Sequence, residues 1–183
     1  MPAPVPEFSN SPLARILAWI DADAPPPVDQ WHPAHSGQID IRIATDGTWF
    51  HEGGAMTRPA MVRLFSRILR AEDDGSIVLV TPAEKLTIQV DDAPFVAVEM
   101  RETADELLFR LNSGDVVAAG AGHPIILRDG PAGRLPYLRA RGTADRPLWA
   151  RLARPVYYEL AQLADADGCV ACAGQRFTIG DVE

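Results

Sequence analysis

Three side chains of one predicted strand combine residue types that suit a small anionic ligand. Tyr137, Arg139 and Arg141 alternate along residues 134–141, and alternation places them on one face of a regular strand. An aromatic ring beside two guanidinium groups can stack on a base and neutralise a phosphate. Charged side chains also protect a solvent-facing strand from aggregation, and that interpretation has equal weight. The sequence therefore predicts either a binding surface or an exposed strand here.

A second set of candidates lies at a tight connection between two predicted strands. Thr81 and Pro82 precede Glu84 and Lys85, and Lys85 is the only lysine of the chain. Glu84 and Lys85 point to opposite faces of a regular strand, so they do not pair directly with each other. Lys85 is then available to an anion or an acidic side chain from elsewhere in the fold.

Two arginines stand before prolines at predicted helix starts. Arg58 precedes Pro59, and Arg146 precedes Pro147. A cation at this position opposes the positive end of the helix dipole, so it favours a carboxylate or a bound anion as its partner. An internal salt bridge is the simpler of these two interpretations.

Motifs of known enzymes and cofactor-binding proteins are missing from the sequence. A Walker loop, a dinucleotide-binding glycine motif and a Gly-x-Ser-x-Gly elbow are all absent. The histidines lack the helical spacing of a metal site; they are His32, His35, His51 and His123. Cys169 and Cys172 begin a predicted strand rather than a helix, so we interpret them as two small buried residues. The sequence leans away from an enzyme and identifies no catalytic residue, metal or cofactor.

Charge and composition limit the classes of partner. The chain has 183 residues, 17 basic and 25 acidic, with a net charge of −8. A field of this sign repels polymeric nucleic acid and anionic membrane surfaces, but a few convergent arginines can still bind a single phosphate. The first residues lack the basic and apolar regions of a signal peptide, and no segment approaches the ~20 apolar residues of a membrane span. We expect a cytoplasmic protein without a membrane span.

The elements that must position the candidates are short strands and a few helices. Apolar spacing predicts helices over residues 12–22, 59–70 and 147–163, the last with a kink at Pro155. The middle helix has a solvent face of three arginines, namely Arg63, Arg67 and Arg70. Alternating or apolar segments between turn residues predict strands at residues 39–44, 48–52, 76–81, 84–90, 95–101, 106–112, 116–119, 124–128, 134–141 and 175–179.

Turn and helix signals recur in the same order in the two halves of the chain. Asp46-Gly47, a strand that ends at Gly54 and Arg58-Pro59 match Asp129-Gly130, a strand that ends at Gly142 and Arg146-Pro147. We interpret this order as an internal duplication of one strand–helix–strand unit. Short turns between most strands favour an α+β fold with mostly antiparallel sheets.

The duplication predicts how the chain is divided and where a ligand would bind. Residues 1–36 form an N-terminal helix and a proline-rich connector, residues 37–92 a first unit, and residues 93–183 bridging strands and a second unit. Related units pack through related faces and leave a cleft between them, and ligands favour such clefts.

Several segments of the chain resemble the domain-of-unknown-function 1285 family over nearly everything after Trp31. The matching segments are Asp40-Ile-Arg42-Ile, Asp46-Gly-Thr-Trp-Phe50, Val62-Arg-Leu-Phe-Ser66, Leu79-Val-Thr-Pro82 with Glu84-Lys85, Asp92-Ala-Pro-Phe-Val96, His123-Pro124 and Pro136-Tyr137-Leu138. The resemblance implies a duplicated α+β core whose C-terminal half is superficially like pleckstrin-homology folds. It also implies a nucleotide-like ligand between the halves, in a signalling or oxidative-stress role, and it implies no activity.

Three functional hypotheses follow. The first is a non-catalytic protein that binds a small anionic, nucleotide-like molecule between its halves, through Arg58, Thr81, Glu84, Lys85, His123, Tyr137, Arg139 and Arg141. The second is an adaptor that binds a protein partner through a strand edge or through Trp149, Tyr157 and Tyr158. The third is an unfamiliar hydrolase that uses His51 or His123.

Overall fold

The computed structural model describes residues 26–180, which contain fourteen strands, two α-helices and one short 3-10 helix. The helix that the sequence predicts over residues 12–22 lies outside the described residues. Most neighbouring strands are antiparallel, so the described chain has the α+β class expected from short turns. Neither α-helix within residues 26–180 is long and apolar enough to span a membrane.

The first unit is a six-stranded sheet with one helix inserted midway along the chain. Its strands are β1 (His35–Ile43), β2 (Trp49–His51), β3 (Gly54–Ala55), β4 (Leu69–Ala71), β5 (Ile77–Val80) and β6 (Glu84–Val90). The helix α1 (Pro59–Arg67) lies between β3 and β4 in the chain. The spatial order is β3-β2-β1-β6-β5-β4, and the central pair, β1 and β6, is parallel.

The second unit is another six-stranded sheet, followed by a helix and a hairpin. Its strands are β7 (Phe95–Glu102), β8 (Leu107–Leu111), β9 (Val116–Ala118), β10 (Ile125–Gly130), β11 (Gly133–Gly142) and β12 (Pro147–Leu152). The spatial order is β10-β11-β12-β7-β8-β9, with β12 parallel to β7 at the centre. The elements that follow are α2 (Arg154–Ala161), β13 (Cys169–Cys172) and β14 (Gln175–Thr178).

The two sheets have the same topology, which confirms a duplicated architecture. In each unit the first and last strands pair in parallel at the centre, strands two and three extend to one side, and strands five and four extend to the other. The register that the sequence suggested is wrong, however. Arg58-Pro59 begins α1, whereas Arg146-Pro147 begins the strand β12, so these dipeptides are not equivalent positions. Arg146 therefore faces no helix dipole.

The helix predicted over residues 59–70 ends three residues earlier than expected. α1 stops at Arg67, and Leu69–Ala71 forms β4, which pairs with Ile77–Leu79 of β5. All three β4 residues are buried, including Arg70, so pairing with the sheet overrides the helical spacing. The prediction that Arg70 lies on a solvated helix face is wrong. Phe65, on the apolar side of α1, stacks on the buried Trp49 of β2.

The helix predicted over residues 147–163 begins as a strand. Leu148, Ala150 and Leu152 are buried while the residues between them are partly exposed, which is the period of a strand with one face in the core. The α-helix begins only at Arg154, so Pro155 lies in its first turn, where its missing N–H leaves no intrahelical hydrogen bond unmade. The predicted kink at Pro155 is therefore absent.

One continuous apolar core spans both units. Ile43 and Leu69 of the first sheet belong to the same cluster as Phe95, Phe109 and Leu138 of the second, and none of the five is more than 1% exposed. A shared core of this kind means that neither unit buries its apolar face alone, so the two units are packed together as one body.

Candidate ligand site between the two units

A cleft of about 260 Å³ opens between the two units. We call it the inter-unit cleft, and its lining residues come from β4, β5 and the turn between them, from the segment 90–94, and from three places in the second unit. They are Ala71, Glu72, Gly75, Ile77, Val90, Asp92, Pro94, Arg128, Asp145, Pro147 and Trp149. The lining therefore combines apolar side chains with four charged residues.

Arg128 is the cation that lines the inter-unit cleft. Its guanidinium carbon lies 4.9 Å from the centre of the Tyr137 ring and 5.1 Å from that of Trp149, so two aromatic rings hold the side chain in place. Within residues 26–180 this guanidinium has no hydrogen bond or ion pair. Its five N–H donors are therefore available to a ligand.

Glu72 is a carboxylate of the cleft whose charge is already balanced. Its Oε1 accepts a hydrogen bond from Nε of Arg70 at 2.7 Å, and its Oε2 accepts one from Nζ of Lys85 at 2.6 Å. Burial acts to raise the pKa of Glu72, but the hydrogen bonds from Lys85 and Arg70 outweigh burial and lower it. Both oxygens are occupied, so Glu72 does not repel an anion from the cleft.

We expect Glu72 to make stability depend on acid pH. Its folded-state pKa lies below the ordinary value of 4.5, so its ion pairs stabilise the protein fully above that value. This contribution is lost as the pH falls through the lowered pKa. Thermal unfolding between ~pH 6 and ~pH 3 should show a smaller acid-induced loss of stability in Glu72→Gln than in the parent. Glu102→Gln, at an exposed glutamate, should follow the parent; a Glu72→Gln curve that also does so would contradict the assignment.

Asp92 joins the two units beneath the cleft. Its side chain is 5% exposed, and its Oδ1 accepts a hydrogen bond from the Tyr137 hydroxyl at 2.6 Å. Its Oδ2 lies 3.2 Å from Nε of Arg151, but neither of these two buried atoms has an aligned hydrogen bond. Nη2 of Arg151 donates to the carbonyl of Thr45 in the first unit at 2.9 Å. Burial and then the Asp92 carboxylate raise the pKa of Tyr137, which keeps its proton.

Two of the four charged residues that line the cleft form ion pairs, and the other two do not. Glu72 is balanced by Arg70 and Lys85, and Asp92 is balanced by Arg151. Asp145 is exposed and, like Arg128, forms no ion pair within the described part of the chain. The cleft therefore presents one guanidinium and one carboxylate that no protein group neutralises.

The predicted face of Tyr137, Arg139 and Arg141 does not exist as one surface. The register between β11 and β12 shifts between Arg139 and Arg141, so the alternation is interrupted. Tyr137 is buried against Asp92, whereas Nη2 of Arg139 donates to the Gly122 carbonyl at 2.9 Å. Each side chain has protein partners in a different place, so the three cannot form the predicted stacking and phosphate surface.

Arg141 serves the contact between the units. Its guanidinium donates to the carbonyls of Ser66 and Arg67 at the C-terminal end of α1, and it lies over the Phe95 ring at 4.8 Å. A cation at this end of a helix is stabilised by the helix dipole. Burial lowers the pKa of Arg141, while the Asp115 carboxylate at 4.0 Å opposes that shift.

The other predicted residues are spread over the molecule. Thr81 is buried and its hydroxyl accepts backbone N–H bonds of its own turn, while His123 contacts the Arg139 carbonyl through Nδ1 at 2.8 Å. Arg58 is exposed and has no ion pair among the described residues, and Glu84 is half-buried. Of the eight, Lys85 and Tyr137 contact side chains that line the cleft: Lys85 through its ion pair with Glu72, and Tyr137 through Asp92 and Arg128. Arg146 forms the internal salt bridge expected of it, with Asp73 at 3.4 Å.

The histidines and cysteines form no site within the described range. In residues 26–180 no three His, Cys, Asp or Glu side chains converge as metal ligands would. His51 and His123 lie in different units, at the end of β2 and before β10. Cys172 is buried and Cys169 is half-buried, and both are free thiols.

Sequence reasoning missed the two residues that dominate the cleft. Asp92 lies just after the predicted strand 84–90, and Arg128 ends the predicted strand 124–128. Nothing local distinguishes either of them, because their roles depend on Tyr137, Trp149 and Arg151 from neighbouring strands. Trp149, which lay within the predicted helix 147–163, is instead a residue of β12 against which Arg128 packs.

Comparisons with known proteins agree on one family. Residues 26–93 match the domain of unknown function (DUF1285), N-terminal domain, and residues 94–179 match the corresponding C-terminal domain. A crystal structure of a DUF1285 family protein from Silicibacter pomeroyi DSS-3 is similar, with a TM-score of 0.82 at 40% sequence identity. That similarity covers 93% of this chain and 95% of the other.

A second solved relative is more distant. A DUF1285 family protein from Shewanella baltica OS155 has a TM-score of 0.51 at 26% identity, over 67% of this chain and 90% of that one. No curated protein matches the sequence. The boundary between the two matched regions falls at residues 93–94, in the segment that lines the cleft between β6 and β7. Both matches and both structures lead to one assignment: the chain belongs to the DUF1285 family.

Proposed function

We propose that this protein binds a small anionic molecule in the inter-unit cleft and acts by recognition rather than by catalysis. The observation that carries the proposal is Arg128, a guanidinium that lines the cleft, is held by two aromatic rings and has no anionic partner within residues 26–180. A fixed guanidinium with unused donors matches the geometry of a carboxylate or a phosphate.

The surroundings of Arg128 support an anion despite the net charge of the chain. Glu72 and Asp92 each form ion pairs with arginine or lysine, so the net charge of these two carboxylates on an incoming ligand is cancelled. Pro147 and Trp149 form an apolar part of the lining, and apolar surroundings strengthen the attraction between charges. A small molecule that carries a negative group and an apolar part suits these walls.

A nucleotide-like ligand with a role in signal transduction or an oxidative-stress response is the finer form of the proposal. A phosphate on Arg128 and a ring against the apolar wall near Trp149 would satisfy it. With this finer proposal we also expect a cytoplasmic protein and a C-terminal half that is superficially like pleckstrin-homology folds. An adaptor that binds a protein partner also remains a prediction. Of the three aromatic residues named for it, Trp149 lines the cleft, whereas Tyr157 and Tyr158 stack on each other on α2.

Ligand-induced stabilisation tests the proposal. Thermal shift and calorimetry with inorganic phosphate, AMP and short carboxylic acids should find at least one probe that stabilises the protein, by about 2.7 kcal/mol at a hundred times its dissociation constant. Arg128→Ala should abolish this stabilisation, and Arg128→Lys should keep part of it because the charge remains. Arg101→Ala, which removes an exposed arginine of β7 outside the cleft, should bind as the parent does. The proposal fails if no probe stabilises the parent, or if Arg128→Ala is stabilised equally.

A further inference from the structure

We infer that the inter-unit cleft selects a zwitterion, namely a single α-amino acid with an apolar side chain, whose carboxylate binds Arg128 and whose ammonium binds Asp145. This inference rests on the proposed function, because it keeps Arg128 as the anion-binding group. It adds a second charged contact and thereby names the chemical class of the ligand.

The cleft has two opposite charges that do not neutralise each other. Arg128 belongs to β10, and Asp145 belongs to the turn between β11 and β12. Both line the cleft, yet no oxygen of Asp145 comes within the 4.0 Å of an ion pair with Arg128. A simple anion would satisfy the guanidinium and leave the carboxylate opposed to it. A ligand with both charges satisfies both groups.

The other carboxylate near Arg128, that of Asp92, is buried and already balanced. Asp92 is 5% exposed, and its buried Oδ2 has no aligned hydrogen bond. Arg151 at 3.2 Å offsets the charge of this oxygen but does not occupy its lone pairs in a hydrogen bond. Oδ2 of Asp92 and Nε of Arg151 are both buried, so Asp92 offers a ligand no second acceptor, and Asp145 is the carboxylate of the cleft that is left for a cation. An ammonium group, which has three donors and no acceptor, suits this carboxylate.

Size and wall composition restrict the rest of the ligand. The cleft volume of about 260 Å³ lies below the ~300 Å³ at which pockets for drug-sized molecules begin. Its uncharged walls are largely apolar, and the larger of these side chains are Ile77, Val90, Pro94, Pro147 and Trp149. A single apolar amino acid fits these limits, since it places one side chain against the walls and carries both charges at its other end.

Calorimetry with matched ligands that differ by one charge tests the inference on the full-length protein. The probes are L-phenylalanine, 3-phenylpropionate without the ammonium, and 2-phenylethylamine without the carboxylate, with L-leucine and 4-methylpentanoate as a second pair. We expect each amino acid to bind at least about tenfold more tightly than its singly charged analogues, a difference of about 1.4 kcal/mol. Asp145→Asn should reduce this ratio to near one, and Arg128→Ala should abolish binding of the amino acids.

A matched variant separates the effect of Asp145 from a general change in charge. Asp129→Asn removes the same charge at an exposed residue beside Arg128 that does not line the cleft, and it should preserve the tenfold preference. If 3-phenylpropionate binds as tightly as L-phenylalanine in an Arg128-dependent manner, the zwitterion inference is wrong and the anion-binding proposal stands. If neither these probes nor inorganic phosphate nor AMP binds, both the zwitterion inference and the anion-binding proposal are wrong.

Discussion

Replacing Asp92 with alanine is expected to lower the free energy of unfolding by about 3–5 kcal/mol, the loss typical when one partner of a buried ion pair is removed. Arg151, whose side chain is 17% exposed, would lose the carboxylate 3.2 Å from its Nε, and the Tyr137 hydroxyl would lose the carboxylate oxygen that accepts its hydrogen bond. Because Arg151 also binds the Thr45 carbonyl of the first unit, the loss should weaken the contact between the units. Urea-induced unfolding followed by fluorescence measures the change.

Two further variants distinguish this network from an ordinary surface charge. Asp92→Asn keeps an acceptor for Tyr137 but removes the charge beside Arg151, so it should lose less stability than Asp92→Ala. Asp91→Ala removes the neighbouring carboxylate, which is 26% exposed in its pair with Arg42, and should cost less than Asp92→Ala. Equal losses for Asp91→Ala and Asp92→Ala would contradict the assigned role of Asp92.

Gly142→Ala is expected to lower the free energy of unfolding by about 2–5 kcal/mol. This figure adds the cost of a left-handed backbone at alanine to the cost of an overpacked contact. The φ angle of Gly142 is +78°, and a Cβ atom there would lie 2.1 Å from the carbonyl oxygen of Arg146. That oxygen belongs to the backbone of the same turn, so the turn itself would have to open. The turn carries Asp145, and binding of L-phenylalanine should weaken together with stability.

Gly133→Ala provides the matched control for this prediction. Gly133 also has a positive φ angle, of +98°, but a Cβ atom there meets nothing within 4 Å. Gly133→Ala should therefore lower the free energy of unfolding only by the cost of a left-handed backbone at alanine, about 1–2 kcal/mol. Thermal and urea unfolding of both variants measure the difference, and a Gly133→Ala loss as large as that of Gly142→Ala would contradict the close backbone contact.

Local patterns predicted many strands and the duplicated plan, but they did not predict the pairing between distant elements. Residues 39–44 and 84–90 alternate as half-buried strands do, and both lie in strands of the first sheet. The Asp-Gly and Arg-Pro signals suggested a repeat, yet such dipeptides occur in turns and element starts of many kinds. The actual repeat is the order of six strands, which is defined by the parallel pairing of each first strand with its last.

The first part of the helix predicted over residues 147–163 was misassigned because one local signal conflicted with another. Pro147 was taken as the first residue of a helix by analogy with Pro59, whereas Leu148, Ala150 and Leu152 follow the period of a strand. Hydrogen bonding of β12 to β11 on one side and to β7 on the other settles the conflict. No feature within residues 147–152 contains that information.

The cleft was predictable as a place but not as a set of side chains. Related units that share a core leave a groove where they meet, and the structure has one there. Arg141 matched the chemistry of a phosphate ligand, but the shift in register after Arg139 turns it to the C-terminal end of α1. Arg128 has the same chemistry, and only its rings from β11 and β12 identify it.

The central claim is that the inter-unit cleft binds its ligand through Arg128, and an NMR titration tests it most directly. Isotope-labelled protein would be titrated with inorganic phosphate, AMP and L-phenylalanine, while the backbone amides and the Trp149 indole N–H are followed. We predict saturable shifts at Arg128, Asp145 and Trp149 with at least one probe, and their loss in Arg128→Ala. Shifts confined to the exposed residues of β8 and β9, or no saturable shift at these three residues, would contradict the account.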